Sequence, residues 1–321
     1  MYLINRSLFI CRTVILSSFL AFFKSDASSN TSVFLKNIAR LYSMGIRSND
    51  KKIELKNRYN NIEFEKKGRR VWINNIMLYL HKPCQKVGKS WSINEDDFRL
   101  NIDPIIRSYK NSSKKTPKKI VLDPGHGGGD TGAISPNRVL EKQVVYDIAI
   151  LTKHILIKHG FKVYLTREND NYITLDQRVE FTKKIKADLF ISIHANAASS
   201  SRSANGIETF ISTLEGFDSS NSYGRLNNRV RVPNNKYDFS NAVLGYALQS
   251  NLIKILKRYD RGLRRARFKV IKNSPCPAAL VECGFLTNEI EESLLRDKNY
   301  RIKVANGIAN GVRAYKAYIL K

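Results

Sequence analysis

The chain has 321 residues, enough for one domain of ordinary size with additions and a sizeable core. Its 55 Lys and Arg against 28 Asp and Glu give a net charge of +27, which attracts anionic polymers and surfaces, although a general bias toward Lys, Asn, Ile and Ser accounts for the excess as simply. The basic residues are scattered, with no nucleic-acid motif and no basic helix suited to a groove, which argues against a nucleic-acid role.

At the N-terminus, Arg6 and Arg12 supply positive charge around an apolar run from Thr13 to Phe23. That run is too short to span a bilayer comfortably, and Ser25-Asp-Ala27 has the small-x-small form of a cleavage site. Residues 1–27 are therefore expected to be a signal peptide or an uncleaved anchor, the chain's one expected membrane contact. Residues 28–68 are polar and weakly periodic, as in a linker or poorly ordered arm. Residues 69–107 predict a small β-rich module: Val71 to Leu80 as strand, turn at Asn74-Asn75, and strand, then a third strand at Trp91 to Ile93. Ser, Lys and Pro at 108–118 mark a hinge. The four cysteines (Cys11, Cys84, Cys276 and Cys283) form no CxxC pair, so a cysteine-type zinc site is not expected.

From 119 to 321 strands and helices alternate. Strands are expected at Ile120–Leu122, Phe161–Thr166, Leu189–Ile193, Ile207–Ile211, Phe268–Ile271 and Ala279–Val281. Helices are expected at Glu141–His159, ending at Gly160, after a capping box at Thr174-Leu-Asp-Gln177, at Ser240–Arg258, after Asn288, and at Asn299–Ile319. This alternation predicts an α/β fold: a twisted, mostly parallel sheet with helices on both faces, preceded by the small β-rich module. In such sheets ligands sit at the carboxyl ends of the strands.

Three apolar runs end in a metal-ligand type or an acid: Val121-Leu-Asp-Pro-Gly-His126-Gly-Gly, Ile191-Ser-Ile-His194-Ala-Asn196 and Leu280-Val-Glu282-Cys-Gly-Phe-Leu-Thr-Asn288. Each of His126, His194 and Glu282 thus falls just past a strand, so the three can meet at one sheet edge. Two histidines with a carboxylate make a catalytic zinc site, and a spare carboxylate makes a base. Each residue also has a plainer explanation. The glycines after His126 could cradle a phosphate, but neither GxGxxG nor a P-loop is present. His194 could be a hydrogen-bonded core histidine, Glu141 an acid favouring a helix N-terminus, and Glu282 half of a buried salt bridge. Asp123 and Asn196 are candidates for outer partners that orient the ligands. His81, His154 and His159 are expected to be structural or exposed.

These motifs, with Gly206-Ile-Glu208-Thr, resemble the zinc-dependent N-acetylmuramoyl-L-alanine amidases of the amidase-3 type over about Lys119 to Tyr318. The resemblance implies that His126, Glu141 and His194 bind Zn2+ and that Glu282 is the catalytic acid/base. It implies cleavage, outside the cytoplasm in the periplasm or cell envelope, of the amide between the lactyl group of N-acetylmuramic acid and L-alanine of peptidoglycan stem peptides. Peptidoglycan is then the expected partner, with a protein activator as a second, and the chain is expected to be a monomer. A zinc peptidase of the stem peptide and a silent wall-binding protein are the competing readings. Some members of the family carry an inhibitory helix after the strand corresponding to Ile207–Ile211. Here Thr213 to Phe239 is polar without an amphipathic stripe, as expected of a flexible substrate-groove loop.

Overall fold

The computed structural model describes residues 31–107, 116–198, 200–220 and 230–320. The expected signal peptide, most of the expected hinge and the middle of the 213–239 loop lie outside the described residues.

The first strands are β1 (Ser32–Phe34), β2 (Gly45–Ser48), β3 (Lys52–Lys56), β4 (Asn61–Glu65), β5 (Arg70–Ile73), β6 (Ile76–Tyr79), β7 (Gln85–Val87) and β8 (Ser90–Asn94). Helix α1 (Leu35–Leu41) follows β1, and short helical turns α2 (Glu95–Asp97) and α3 (Asp103–Ile106) flank a π-type turn at Phe98–Ile102. Then come β9 (Lys119–Pro124), α4 (Glu141–Lys158), β10 (Lys162–Leu165), α5 (Leu175–Ile185), β11 (Leu189–Asn196) and β12 (Ile207–Ser212). The chain closes with α6 (Asp238–Leu256), β13 (Asp260–Ala266), α7 (Lys269–Lys272), β14 (Ala278–Phe285), α8 (Glu289–Arg296) and α9 (Lys298–Ile319).

Eleven strands form one sheet in the order β10-β9-β11-β14-β12-β13-β6-β5-β4-β3-β2, and β1-β8-β7 form a separate three-stranded sheet. Between β10 and β13 only the β14–β12 pair is antiparallel. From β6 outward the sheet is an antiparallel meander. Alternation along β9 shows why helices cover both faces. Ile120 and Leu122 point into a core with Val144, Leu248 and Ile308, from α4, α6 and α9. Val121 points into the opposite core with Val270 of α7 and Phe190, against which Phe181 of α5 packs.

Three expectations need correction. Residues 31–68, read as a poorly ordered arm, hold a helix and four strands. Ile53, Leu55, Ile62 and Phe64 alternate with charged residues and bury one face of β3 and β4 completely or nearly so. Lys and Glu at the intervening positions hide that period in a composition count. Of the strands expected in the small β module, Trp91–Ile93 does lie in the separate three-stranded sheet, as β8, but the two within Val71–Leu80 join the main sheet through the parallel β6–β13 pair. The apolar run Phe268–Ile271 is one helical turn rather than a strand, an ambiguity inherent in short apolar runs. Strand β13 itself was missed, because Asp-Arg-Gly-Leu-Arg-Arg-Ala shows no apolar alternation.

Arg265 of β13 is nonetheless buried. Its Nη1 donates to the Ser212 carbonyl (2.7 Å), its Nη2 to the Leu100 carbonyl (2.7 Å) and its Nε to Asn101 Oδ1 (2.6 Å). Asn101 Nδ2 donates in turn to Asp97 Oδ1 (2.8 Å), which also lies 2.8 Å from His81 Nδ1. This network ties the N-terminal strands to the α/β part. Burial pushes the His81 proton affinity down, against the pull of Asp97. Asp97 is held low although burial opposes it, because His81 and the His81 and Lys82 N–H groups surround it. Both groups thus have folded pKa values below their unfolded ones. The unfolded chain takes up protons first, so stability is lost as pH falls below about 6.5, the ordinary histidine value. His126, Glu282 and Asp238, whose proton affinities are raised, act in the opposite sense, so the test is a difference: His81→Gln should lose less of its urea-unfolding midpoint between pH 7 and pH 5 than the parent does. An equally steep slope in the variant would contradict this account.

Candidate metal centre and active site

Strands β9, β11 and β14 are parallel neighbours, and their registered ends bring the three motifs together. Ile193 stands beside Pro124, and His194 beside Glu282. Past β9 the chain turns back: Gly125 N–H donates to the Ile193 carbonyl (3.0 Å), and His126 takes a left-handed φ of 59°. A side chain other than glycine rarely adopts that conformation without enforcement. Two arginines enforce it. Arg178 Nη2 donates to the His126 carbonyl (2.8 Å) and its Nη1 to the Pro124 carbonyl (2.8 Å). Arg167 donates to the carbonyls of Pro124 (3.1 Å) and Gly125 (2.9 Å).

Glu141, the first residue of α4, is buried between the two histidines. Its Oε2 lies 3.2 Å from His126 Nε2, and its Oε1 lies 2.9 Å from His194 Nδ1. The Ala133 and Ala195 N–H groups donate to the same carboxylate at 2.8 and 3.0 Å. The imidazoles stand nearly perpendicular with centroids 5.0 Å apart. One donor atom from each of His126, Glu141 and His194 falls within 4.8 Å of the others, the only such group of three among the described residues. Burial alone would raise the Glu141 pKa, but the two histidines outweigh it and hold the carboxyl well below its usual range. Burial opposes protonation of His126, while Glu141 and Asp130 more than compensate and raise its pKa.

The surrounding backbone leaves room for these side chains. A Cβ at Gly132 (φ 64°) would lie 2.6 Å from both Glu141 Oε2 and a His126 ring carbon, and one at Gly125 would lie 2.2 Å from His194 Cε1. Two imidazoles and an anionic carboxylate converging in such a cradle have the donor chemistry of a zinc site.

Glu282 lines the same cleft of about 290 Å³, walled by Leu175, Phe268 and Val270. Its Oε2 is buried and takes no hydrogen bond. Burial, then the nearby charges of Glu141 and Glu208, raise its pKa well above the usual carboxylate value. Opposite Glu282, buried Glu208 of β12 is neutralised by Arg264 (3.0 Å) and Arg261 (3.4 Å).

The outer partners differ from those expected. Asp123 is buried, salt-bridged to Arg178 (2.7 Å) and accepting from Thr166 Oγ1 (2.6 Å) and Ser192 Oγ (2.8 Å). It therefore braces the strand end through Arg178 instead of orienting an imidazole. Asn196 Nδ2 donates to Glu208 Oε1 (2.6 Å). Beyond Glu141, the carboxylate that meets His126 is Asp130, whose Oδ2 lies 2.9 Å from His126 Nδ1. An acid four residues beyond a ligand histidine, across a run of glycines, is the signal that could have revealed it. The His81 side chain is enclosed in the network above, and the expected loop after β12 is packed at both ends, with Leu214, Phe217 and Asn234 buried.

The family profile described as N-acetylmuramoyl-L-alanine amidase matches residues 120–314. The chain belongs to the amidase-3 family. Among its relatives, AmiA of Escherichia coli K12 is 36% identical over 241 residues, covering 66% of this chain and 83% of AmiA. LytC of Bacillus subtilis 168 is 38% identical over 215 residues, covering 66% of this chain and 39% of LytC. Among solved structures, the catalytic domain of CwlV from Bacillus (Paenibacillus) polymyxa superposes with a TM-score of 0.52 at 31% identity, covering 62% of this chain and 97% of that domain. CwlD of Clostridioides difficile, solved in complex with the GerS lipoprotein, gives 0.52 at 28% identity, covering 62% of this chain and 98% of CwlD. Residues 31–107 lie outside the family match.

If the candidate site holds zinc and Asp130 fixes the His126 ring, Asp130→Asn should weaken zinc binding by roughly 10–100-fold while the fold persists. Competition with a chromogenic chelator measures this, and an unchanged affinity would show that Asp130 does not orient the ligand.

Proposed function

We propose that the chain is an exported zinc-dependent hydrolase that cleaves the amide between the lactyl group of N-acetylmuramic acid and L-alanine of peptidoglycan stem peptides. The observation that carries this reading is the convergence of His126, Glu141 and His194 beside Glu282 at one sheet edge. Family membership supplies the substrate class.

In this reading His126, Glu141 and His194 hold Zn2+, which supplies Lewis acidity to the scissile carbonyl and to the attacking water. Asp130 holds His126 in the tautomer whose Nε2 faces Glu141. Glu282 takes the proton of the attacking water and returns one to the leaving amine nitrogen of L-alanine. A partly desolvated carboxylate of raised proton affinity suits both halves of that transfer. Glu208, neutralised by two arginines, leaves Glu282 as the carboxylate in the cleft that engages neither the histidines nor a basic partner. The apolar wall of Leu175, Phe268 and Val270 would seat the alanine methyl and the lactyl group.

Residues 1–27 would direct export to the periplasm or cell envelope as a signal peptide or anchor. Among the described residues no helix is long and apolar enough to cross a membrane. Residues 119–321 would form the catalytic part, acting as a monomer, with a protein activator as a second partner beside peptidoglycan. The complex of CwlD with the GerS lipoprotein supports a protein partner of some kind.

Removing the metal tests the reading. Dialysis against a chelator should abolish turnover of stem-bearing muropeptides, and one equivalent of Zn2+ should restore it. Turnover that persists in the metal-free chain would contradict it.

A further inference from the structure

The N-terminal strands carry a second candidate site. Trp72 and Trp91 are the only tryptophans in the chain, and both line one groove of about 670 Å³. They come from different sheets, Trp72 from β5 and Trp91 from β8. Each is half-buried, so part of each indole stays open.

The rest of the lining is mainly basic, with six cationic side chains against two acidic ones. Of the acids, Glu65 is already held by Arg70 Nε at 3.0 Å. Lys52 Nζ stands 3.8 Å from the Trp72 ring centroid while paired with Glu63 at 2.7 Å, and Lys66 Nζ stands 5.4 Å from that of Trp91. Such contacts fix a positive charge against an aromatic face. Lys51, Lys67 and Lys86 are exposed and pair with no acid among the described residues. Cations at set positions around two indoles match a ligand that is acidic and also presents apolar ring faces. An acidic glycan has both properties. Nucleic acid would meet the same features, but membership of a peptidoglycan amidase family favours the wall polymer.

We propose that this groove is a non-catalytic binding site for peptidoglycan strands. Stem-peptide carboxylates meet Lys51, Lys67 and Lys86, and sugar rings lie against Trp72 and Trp91. The proposal rests on the amidase reading above. The groove and the catalytic cleft belong to one chain whose main sheet is continuous through β6 and β13. A polymer held at both places would therefore bind more tightly than at either alone.

The test uses the full chain carrying Glu282→Gln, so that the polymer stays intact, co-sedimented with purified insoluble peptidoglycan at moderate salt. Adding Lys67→Glu and Lys86→Glu should lower the bound fraction by roughly tenfold by reversing the local field. Trp72→Ala with Trp91→Ala should do the same. Both lysines are exposed, so the far-ultraviolet circular dichroism of their variant should match the parent's. The proposal falls if the parent does not sediment or the lysine variant sediments equally well. It also falls if the variant keeps its hold on the wall and loses only anionic phospholipid vesicles or single-stranded DNA. Turnover of a soluble stem-bearing fragment by the zinc-loaded natural chain tests the amidase reading separately. Its absence, with wall binding lost in the groove variants, would sink that reading alone.

Discussion

Glu282→Gln should lower the rate of amide cleavage by roughly 10²–10⁴-fold, the usual contribution of a positioned proton-transfer group, and leave the metal content unchanged. Gln fills the same volume. It replaces a carboxylate whose Oε2 takes no hydrogen bond, so little native structure depends on it. Burial and the charges of Glu141 and Glu208 disfavour an anion at this position. A neutral amide removes that cost, and thermal stability should hold or rise. The combination of lost turnover, retained zinc and an intact fold separates a proton-transfer role from a structural one. A variant with near-parental activity would remove Glu282 from the chemistry. One that lost its metal would place Glu282 among the ligands.

His126→Ala should give the complementary result, with metal and activity lost together. Zinc affinity should fall well beyond the roughly 10–100-fold attributed to an outer partner. In the proposed site His126 is one of three ligands, and its removal also leaves buried Glu141 with one imidazole instead of two. The left-handed backbone at position 126 is held through its carbonyl by Arg178, not through the imidazole. Alanine should therefore leave the loop in place. Metal analysis of the purified variant, with circular dichroism to confirm folding, checks this. A variant that kept one zinc per chain would exclude His126 as a ligand.

The readability of this chain follows from where burial is apolar and where it is polar. Strands β9, β11 and β14 carry apolar runs buried on both faces, followed by His126 two residues past β9, His194 within β11 and Glu282 within β14, so both the elements and the candidate ligands stand out. Helix α4 was equally plain, since Val144, Val145, Ile148, Leu151 and Ile155 repeat at helical spacing. Strand β13 was hidden because Arg265 occupies a core position, its charge met by two carbonyls, Asn101 and the Asp238 carboxylate (3.4 Å). Strands β3 and β4 were hidden because each alternate residue is polar and the buried ones are few. The outer partners of the site were legible only in part. Asp123 stood out as a candidate outer partner, but its contact with Arg178 depends on the fold of residues 55 positions away. Asp130, a local neighbour of His126, carried a spacing signal among the glycines.

The central claim is the bond that is cut. Mass spectrometry of purified peptidoglycan digested by the zinc-loaded chain, with and without a chelator, reads that bond directly. The account predicts intact stem peptides bearing a free L-alanine amine, together with glycan carrying unsubstituted lactyl carboxylates, all absent when the chelator is present. Shortened stems still attached to muramic acid would contradict it and assign the site to a peptidase.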